Sequence, residues 1–288
     1  MAAGDGEAAP AKINLSLRVL GRYADGRHRL ASLMGFVELA DALTYAPQGA
    51  WALACRGPEA GALPLLKDNL VWRAAALLAA HGARPLAGRI QLVKQIPVMA
   101  GLGGGSSDAA AALRLLARAW GVRAAALPPL AEQLGADVPA ALLARACFVE
   151  GWGERLTPIR LPRCGVLLAV PPQRLSTRAV FDRLRAAQAG ARTAAARPPK
   201  AFANPGDLCR WVSSQGNELR AVAQDLCPPV RSLLEALAGL APAAHGMSGS
   251  GPACFALFPD AEAAQRGEAQ LRRTHPNHKI WSGALRSV

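Results

Sequence analysis

No apolar run in the 288-residue sequence approaches the eighteen or so residues that a membrane-spanning helix needs, although half of the residues are hydrophobic. The opening Met-Ala-Ala-Gly-Asp-Gly-Glu has neither the basic nor the apolar region of a secretory signal. Cysteines do not pair as C-x-x-C: Cys55, Cys147, Cys164, Cys209, Cys227 and Cys254 are scattered, as reduced thiols are. These absences lead to the expectation of a cytoplasmic protein with no membrane partner. Lysine is scarce, with only Lys12, Lys67, Lys94, Lys200 and Lys279 among 33 basic residues, so the net charge of +13 rests on arginine. Such a charge suits nucleic acid or a polyanionic small substrate. Aromatics, however, make up only 5% of the chain and no basic cluster interleaved with stacking residues emerges. An Ala- and Arg-heavy chain also follows from coding bias alone, and no nucleic-acid partner is expected. There is no internal repeat, and His275 and His278 have no third residue to complete a metal site. The length allows two domains or one large one.

What is present is organised around Pro97-Val98-Met99-Ala100-Gly101-Leu102-Gly103-Gly104-Gly105-Ser106-Ser107-Asp108, which runs into the helix-forming segment Ala109 to Trp120. Four glycines in five positions followed by a helix describe a backbone that bends closely around something. The first N–H groups of a helix lack partners within it and lie at the positive end of its dipole, so a phosphate is a natural occupant. A glycine there keeps a Cβ from holding the phosphates away. The loop is not a Walker A loop, since Ser106 follows Gly105 and no lysine is near; Ser106 also stands where a dinucleotide fingerprint needs its third glycine. A plainer reading remains beside this one: a flexible connector with Ser106 or Ser107 as helix N-cap.

Taken in order, Ala11 to Leu20 alternates as a half-buried strand, with Lys12, Asn14, Ser16 and Arg18 on a polar face that is ordinarily solvated. A turn over Gly21 to Gly26 leads to Arg27-His28 and an apolar stretch from Leu30 to Leu39, and Asp41 to Arg56 reads as further sheet closed by Gly57 to Pro64. His28 alone reads more naturally as structural than as a ligand contact. Asp68 or Asn69 caps a predicted helix from Leu70 to His81, and Arg89 to Gln95 alternates as the strand that delivers the glycine loop. Leu127 to Leu134 reads as a short helix ending at Gly135. Asp137, two residues before Pro139, suits a helix N-cap. Phe148 to Leu156 is a turn-rich strand segment that closes a first domain. A buried strand over Gly165 to Val170, a helix from Ser176-Thr177 to Leu184 and helices between Asn217 and Leu240 follow. Then come a glycine-rich turn at His245 to Gly251, a strand over Ala253 to Phe258, a helix over Ala261 to Arg273 and a last strand near Ile280. Ala186 to Gly206, rich in Ala, Arg and Pro without a period, reads as a mobile surface insert.

Phosphoryl transfer needs a backbone cradle for the donor phosphates, a metal ion, a cation near the transferring group and a carboxylate for the acceptor hydroxyl. Gly101 to Ser107 offers the cradle, Lys12 the cation and Asp137 the carboxylate, while loop serines could reach Mg²⁺. Asp108 is ambiguous: it favours the helix dipole yet would repel phosphates unless a metal lies between them. Five blocks carry a resemblance: Ala9-Pro-Ala-Lys12-Ile-Asn14-Leu15, Gly101 to Ser107, Leu134-Gly-Ala-Asp137-Val-Pro139, Glu150-Gly-Trp-Gly-Glu-Arg-Leu156 and Met247-Ser-Gly-Ser-Gly251. In this order and spacing, from about Ala9 to Phe258, the chain resembles the GHMP kinases.

The resemblance implies an α+β, two-domain GHMP kinase fold: a ribosomal-protein-S5-like N-terminal ATP-binding domain over residues 1–158 and a ferredoxin-like C-terminal domain over 159–288. It implies ATP and Mg²⁺ as cofactors and, as acceptor, the 2-hydroxyl of a cytidine diphosphate-linked methylerythritol in the non-mevalonate isoprenoid pathway. Asp137 would be the base and Lys12 would hold the hydroxyl; Pro97, Val98, Met99, Ala100, Gly101, Leu102, Gly103, Gly104, Gly105, Ser106 and Ser107 would wrap the ATP phosphates. Gly249 to Gly251 would support the site, and Asn14, His28 and Phe181 would bind the cytidine end. The usual Asp-Gly-Tyr-His reads Asp25-Gly26-Arg27-His28 here, so an arginine plane stands where a stacking tyrosine is expected. Three rivals make different predictions. Another GHMP kinase would phosphorylate homoserine, mevalonate or a sugar; an ATP sensor would not turn over; a basic nucleic-acid binder would show strongly salt-dependent affinity.

Overall fold

The computed structural model describes residues 6–64, 66–187 and 195–287. In chain order, the described residues form β1 (Gly6–Asn14), β2 (Arg18–Arg22), β3 (His28–Ala50), β4 (Ala52–Arg56), α1 (Leu70–His81), β5 (Ala87–Val93), α2 (Gly104–Trp120), α3 (Leu127–Leu134) and α4 (Val138–Leu143). They continue with β6 (Cys147–Gly151), β7 (Arg155–Pro158), β8 (Gly165–Val170), α5 (Thr177–Ala187), α6 (Pro205–Gln215), α7 (Arg220–Leu226), α8 (Pro228–Ala238), β9 (Ala244–Met247), β10 (Cys254–Phe258), α9 (Ala261–Thr274) and β11 (Lys279–Ala284). None of these helices is long and apolar enough to cross a membrane. Two units interleave along the chain: one of Met1–Ala11, Leu39–Val98 and Gly103–Ala144, the other of Lys12–Glu38, Met99–Leu102 and Arg145–Val288.

In the first unit β5 runs between two partners, antiparallel to β3 (Leu43 opposite Leu92, Tyr45 opposite Ile90) and parallel to β4 (Leu53 opposite Ile90). Leu43, Leu53, Ile90 and Leu92 from this sheet meet Val71, Ala74 and Leu78 of α1, Ala109 to Leu116 of α2 and Leu130 of α3 in one apolar core. Asn69 caps α1 as its sequence position suggests, its Oδ1 accepting from the Val71 amide at 2.9 Å, and Gly82 ends the helix. The Leu30–Leu39 stretch and the first part of the Asp41–Arg56 sheet segment form one strand, β3. It runs unbroken through Asp41, whose buried carboxylate accepts the backbone amides of Gln95 and Ile96. α2 starts at Gly104 rather than near Ala109, and its N-cap is Gly103, not Ser106 or Ser107.

In the second unit β6 pairs with β3 (Leu33 opposite Phe148) and with β7 (Val149 opposite Leu156). The stretch Phe148 to Leu156, expected as a turn-rich strand segment, lies in a hairpin whose turn is closed by Glu154, its Oε2 accepting the amides of Trp152 (2.7 Å) and Gly153 (3.1 Å). A four-stranded antiparallel sheet has the order β11-β8-β10-β9. Its alternate residues Leu167 and Ala169 on β8 and Cys254, Ala256 and Phe258 on β10 share a core with Val230, Leu233 and Leu237 of α8 and Leu271 of α9. Lys12, Asn14 and Ser16, read from the sequence as a solvated strand face, are all buried, at 5%, 4% and 3% exposure.

Residues 188–194 of the predicted mobile insert lie outside the described residues. The flanking part is anchored: Arg160 and residues 200–202 exchange backbone hydrogen bonds of 3.0 and 3.1 Å, Phe202 packs edge-to-face on Trp211, and α6 begins at Pro205 behind the N-cap Asn204. A bridge of two backbone hydrogen bonds has no side-chain period, so composition does not reveal it.

All six cysteines are free thiols, five of them buried. Gly165, first residue of β8, is set by packing, since a Cβ there would overlap the Asp260 carbonyl that precedes α9. Gly165→Ala is therefore expected to lower stability by about 1–3 kcal/mol through forced backbone displacement, read as a drop in the chemical-denaturation midpoint with the slope unchanged.

Candidate functional site

The glycine loop leaves β5 through residues that the first unit fixes tightly. Lys94, Asp41 and Asp108 are all buried, with the Lys94 ammonium paired to Asp41 and, at 2.7 Å, to Asp108. Asp41 Oδ1 accepts from the amides of Gln95 (2.5 Å) and Ile96 (2.9 Å), and the Lys94 amide donates to Arg56 O at 2.7 Å. The sequence left Asp108 between a dipole-favouring and a metal-facing role. It takes neither: it lies at the fifth position of α2, inside the unit, against Lys94.

Beyond the loop, α2 opens on Gly103 at φ +64°, with no side-chain cap and no acidic residue in its first turn. Gly105 is exposed, and a Cβ on it would make only an ordinary contact, 3.5 Å from Leu70. Ser107 is turned inward, its hydroxyl donating to Pro10 O at 2.6 Å. The opening turn of a seventeen-residue helix is thus furnished with backbone amides and small side chains, which suits a phosphate.

In the second unit the loop crest Met99 to Leu102 is held by main-chain contacts. The Ala253 amide donates to Ala100 O and the Lys12 amide to Leu102 O, both at 3.0 Å, and Ser248 Oγ donates to Gly101 O at 2.9 Å. Met99, 55% exposed, holds φ +58°, a strained value for a residue with a side chain. The glycine requirement here has an internal cause: a Cβ on Gly101 would come within 2.6 Å of Ser248 O, and one on Gly104, in the first unit, within 2.8 Å of Lys94 Nζ. Space for phosphate alone does not explain those two positions.

Lys12 donates to Asn14 Oδ1 at 2.5 Å, Asn14 Nδ2 to Ser32 Oγ at 2.7 Å, and Ser32 Oγ to Ser16 O at 2.6 Å. The Asn14 amide donates to Ser248 Oγ at 3.1 Å, and the site of a Cβ on Gly249 lies 3.2 Å from Asn14 Oδ1 and 3.3 Å from Lys12 Nζ. The structure therefore brings Lys12, Asn14, Gly101 and Gly249 into one polar cluster. Ser32, Ser248 and Asn217, which donates to Met247 O and Gly249 O, join it without having been singled out from the sequence. Ser248 had a signal, since it lies inside the quoted Met247–Gly251 block, and Asn217 was noted only as the start of the helices that follow; Ser32 had none.

The His28 and Phe181 rings stack at 4.2 Å and 27°. Arg27 pairs with Asp25 at 2.7 Å and lays its guanidinium over the Trp152 ring, 4.4 Å from the centroid. Asp137, in the first unit, is the N-cap residue of α4, but its side chain makes no capping hydrogen bond. The helix instead starts on Pro139 near its first position and on the bond from the Ala141 amide to Asp137 O at 3.0 Å. His275 and His278 meet edge-to-face at 4.9 Å, and among the described residues no three His, Cys, Asp or Glu side chains group as a metal site.

Burial pushes the Asp108 carboxyl up to about 8, overcoming the pull of Lys94 and helped by the Asp41 charge. Burial disfavours the Lys94 ammonium as well, but Asp108 and Asp41 raise it on balance. Asp108 Oδ1 has no hydrogen-bond partner among the described residues, an arrangement less costly for a neutral acid than for a carboxylate. With its carboxyl pushed up to about 8, Asp108 is held largely as the acid at neutral pH. The Cys55 thiol on β4 feels both Asp108 and Lys94. Because the fold holds the Asp108 proton up to about pH 8 and the unfolded chain releases it near 3.8, the stability this group contributes is complete below that lower value. It is lost as pH rises toward about 8. Thermal melts of Asp108→Asn should accordingly lose less Tm between about pH 5 and pH 8 than the wild type; equal losses would place the carboxylate charge in the native state throughout.

Comparison with known proteins followed these features. Residues 69–145 match the GHMP kinases N terminal domain and residues 200–277 the GHMP kinases C terminal model. The 4-diphosphocytidyl-2-C-methyl-D-erythritol kinase of Dinoroseobacter shibae is 41% identical over 96% of this chain and 94% of its own. That of Bradyrhizobium diazoefficiens is 40% identical over 97% of each. A crystal structure of 4-(cytidine 5'-diphospho)-2C-methyl-D-erythritol kinase, 34% identical, superposes with a TM-score of 0.79 over 99% of this chain and 100% of that one. Methanococcus jannaschii mevalonate kinase, at 11% identity and a TM-score of 0.68 over 100% of this chain and 99% of its own, shares the fold alone. With both halves matched in order and identity near two residues in five along almost the whole length, this chain is a kinase that belongs to the 4-diphosphocytidyl-2-C-methyl-D-erythritol kinase family of the GHMP kinases.

Proposed function

We propose that this chain phosphorylates the 2-hydroxyl of 4-diphosphocytidyl-2-C-methyl-D-erythritol with ATP, Asp137 acting as general base and Lys12 positioning the hydroxyl. The observation that carries the donor half is the start of α2: a glycine N-cap with no side-chain cap, followed by a first turn without a carboxylate. Pro97 to Ser107 wrap the donor phosphates, and residues 1–158 and 159–288 serve as the ATP-binding and C-terminal domains. Mg²⁺, when bound, would neutralise phosphate charge, and Ser106 would be the loop hydroxyl available to hold it beside the phosphates.

The acceptor half draws on three features. Asp137 stands at the start of α4 without making a side-chain capping hydrogen bond, so capping is not the role of its carboxylate. The Lys12 ammonium is buried and aimed by Asn14, which lowers the cost of holding one geometry. The stacked His28 and Phe181 rings offer an aromatic wall for a nucleobase, and Asn14, which holds the Lys12 ammonium, is assigned to the cytidine end with them. Transfer then depends on positioning and charge far more than on covalent chemistry by the protein.

Two variants test this reading. Asp137→Asn should lower kcat by about 10²- to 10⁴-fold in a coupled ADP-release assay with the cytidylyl acceptor, with Tm unchanged; unchanged turnover would remove Asp137 from the mechanism. Turnover of homoserine or mevalonate but not the cytidylyl acceptor would move the chain to another GHMP activity. Gly105→Asp places a carboxylate at an exposed first-turn position that the dipole tolerates, so the fold should persist while KM for ATP rises about tenfold or more. An unaltered KM would dissociate the helix start from the donor.

A further inference from the structure

One ammonium touches both sides of the glycine loop. Lys94 follows β5 directly, and its partner Asp41 fixes the amides of Gln95 and Ile96 just ahead of Pro97. Its other partner, Asp108, belongs to α2, and the ammonium lies 2.8 Å from where a Cβ on Gly104 would stand. The main chain at Lys94 is clamped as well: its carbonyl accepts the Glu59 amide at 3.3 Å, and Gly57, at φ +101°, leaves room for that carbonyl.

A buried ion cluster is weak evidence for stability: taking ions out of water is costly, and apolar residues of equal volume commonly serve a core as well or better. What apolar side chains could not do is bond the two amides that lead into the loop while gripping the helix that leaves it. We propose that Asp41, Lys94 and Asp108 are positioning residues for the phosphate donor, setting the spacing between the backbone leading into the glycine loop and the first turn of α2. The proposal rests on reading that turn as the donor site.

The test variant is Asp41→Asn/Lys94→Met in the full chain, which removes the Asp41–Lys94 ion pair together and leaves Asp108 as a buried acid without its lysine. KM for ATP should rise about ten- to a hundredfold, while KM for the cytidylyl acceptor stays within about twofold of wild type. A merely structural role would move neither KM, because unfolded molecules lower the apparent kcat and leave both KM values on whatever fraction is folded. Asp41→Asn alone, which keeps an oxygen for the two amides, is the second variant and should shift KM for ATP in the same direction. Donor KM values within about twofold of wild type in both variants overturn the proposal. Gly105→Asp, run alongside, separates the two readings: if it raises the ATP KM and the cluster variants do not, the positioning role alone falls; if it too has no effect, the donor site falls with it.

Discussion

A lysine ammonium enclosed by two carboxylic groups is the constraint on which the first unit's functional end depends. Charges removed from water must be answered by partners at fixed distances, and here the partners come from β3, from the residue after β5 and from α2. Once Lys94 is answered, several local choices follow. Gly104 has to lack a side chain, Asp41 can occupy the middle of a strand, and the helix begins earlier than its alanines suggest. Glycines are poor helix residues, at about 1 kcal/mol each against alanine. Ser107 and Asp108 anchor that first turn through Pro10 and Lys94 and offset the cost.

The second unit solves a different problem with uncharged groups. Lys12, Asn14 and Ser16 alternate with apolar residues as a half-exposed strand would, yet all three are buried. Their polar atoms are answered by Ser32, Ser248 and main-chain oxygens, and Gly101 and Gly249 let the backbone of three segments close on them. A polar strand face that is dry is costly unless each group finds a partner. That cost is why such a face marks chemistry more often than decoration.

How much of this could be read in the residues follows from sequence distance. The caps at Asn69 and Gly82, the helix over Leu127–Leu134 and the strand Gly165–Val170 depend on neighbours a few positions away, and the pattern locates them closely. The loop and the run of its helix were legible for the same reason, although the pattern set the helix start five residues late. The Lys94 pairs reach back 53 positions and forward 14, and the Asn14 bond to Ser248 spans 234, distances over which periodicity carries no information. Asp137 shows the opposite case: local pattern placed it at a helix start, correctly, but could not show that its side chain declines the capping bond. The polar strand face was misjudged because alternation tells which residues share a side and nothing about what covers it.

The thiols described above have a consequence for how the molecule ages. Burial drives the Cys164 thiol up to about 12 and Cys254 higher still, with Cys209 and Cys227 raised by the same cause. Sulfur attacks and is attacked as thiolate, so these groups are chemically silent while the chain is closed. Oxidants and electrophiles meet these four sulfurs in molecules that have already opened, so damage at them keeps pace with the chain's excursions from its native state, whereas the half-buried Cys55 stays within reach in the closed chain.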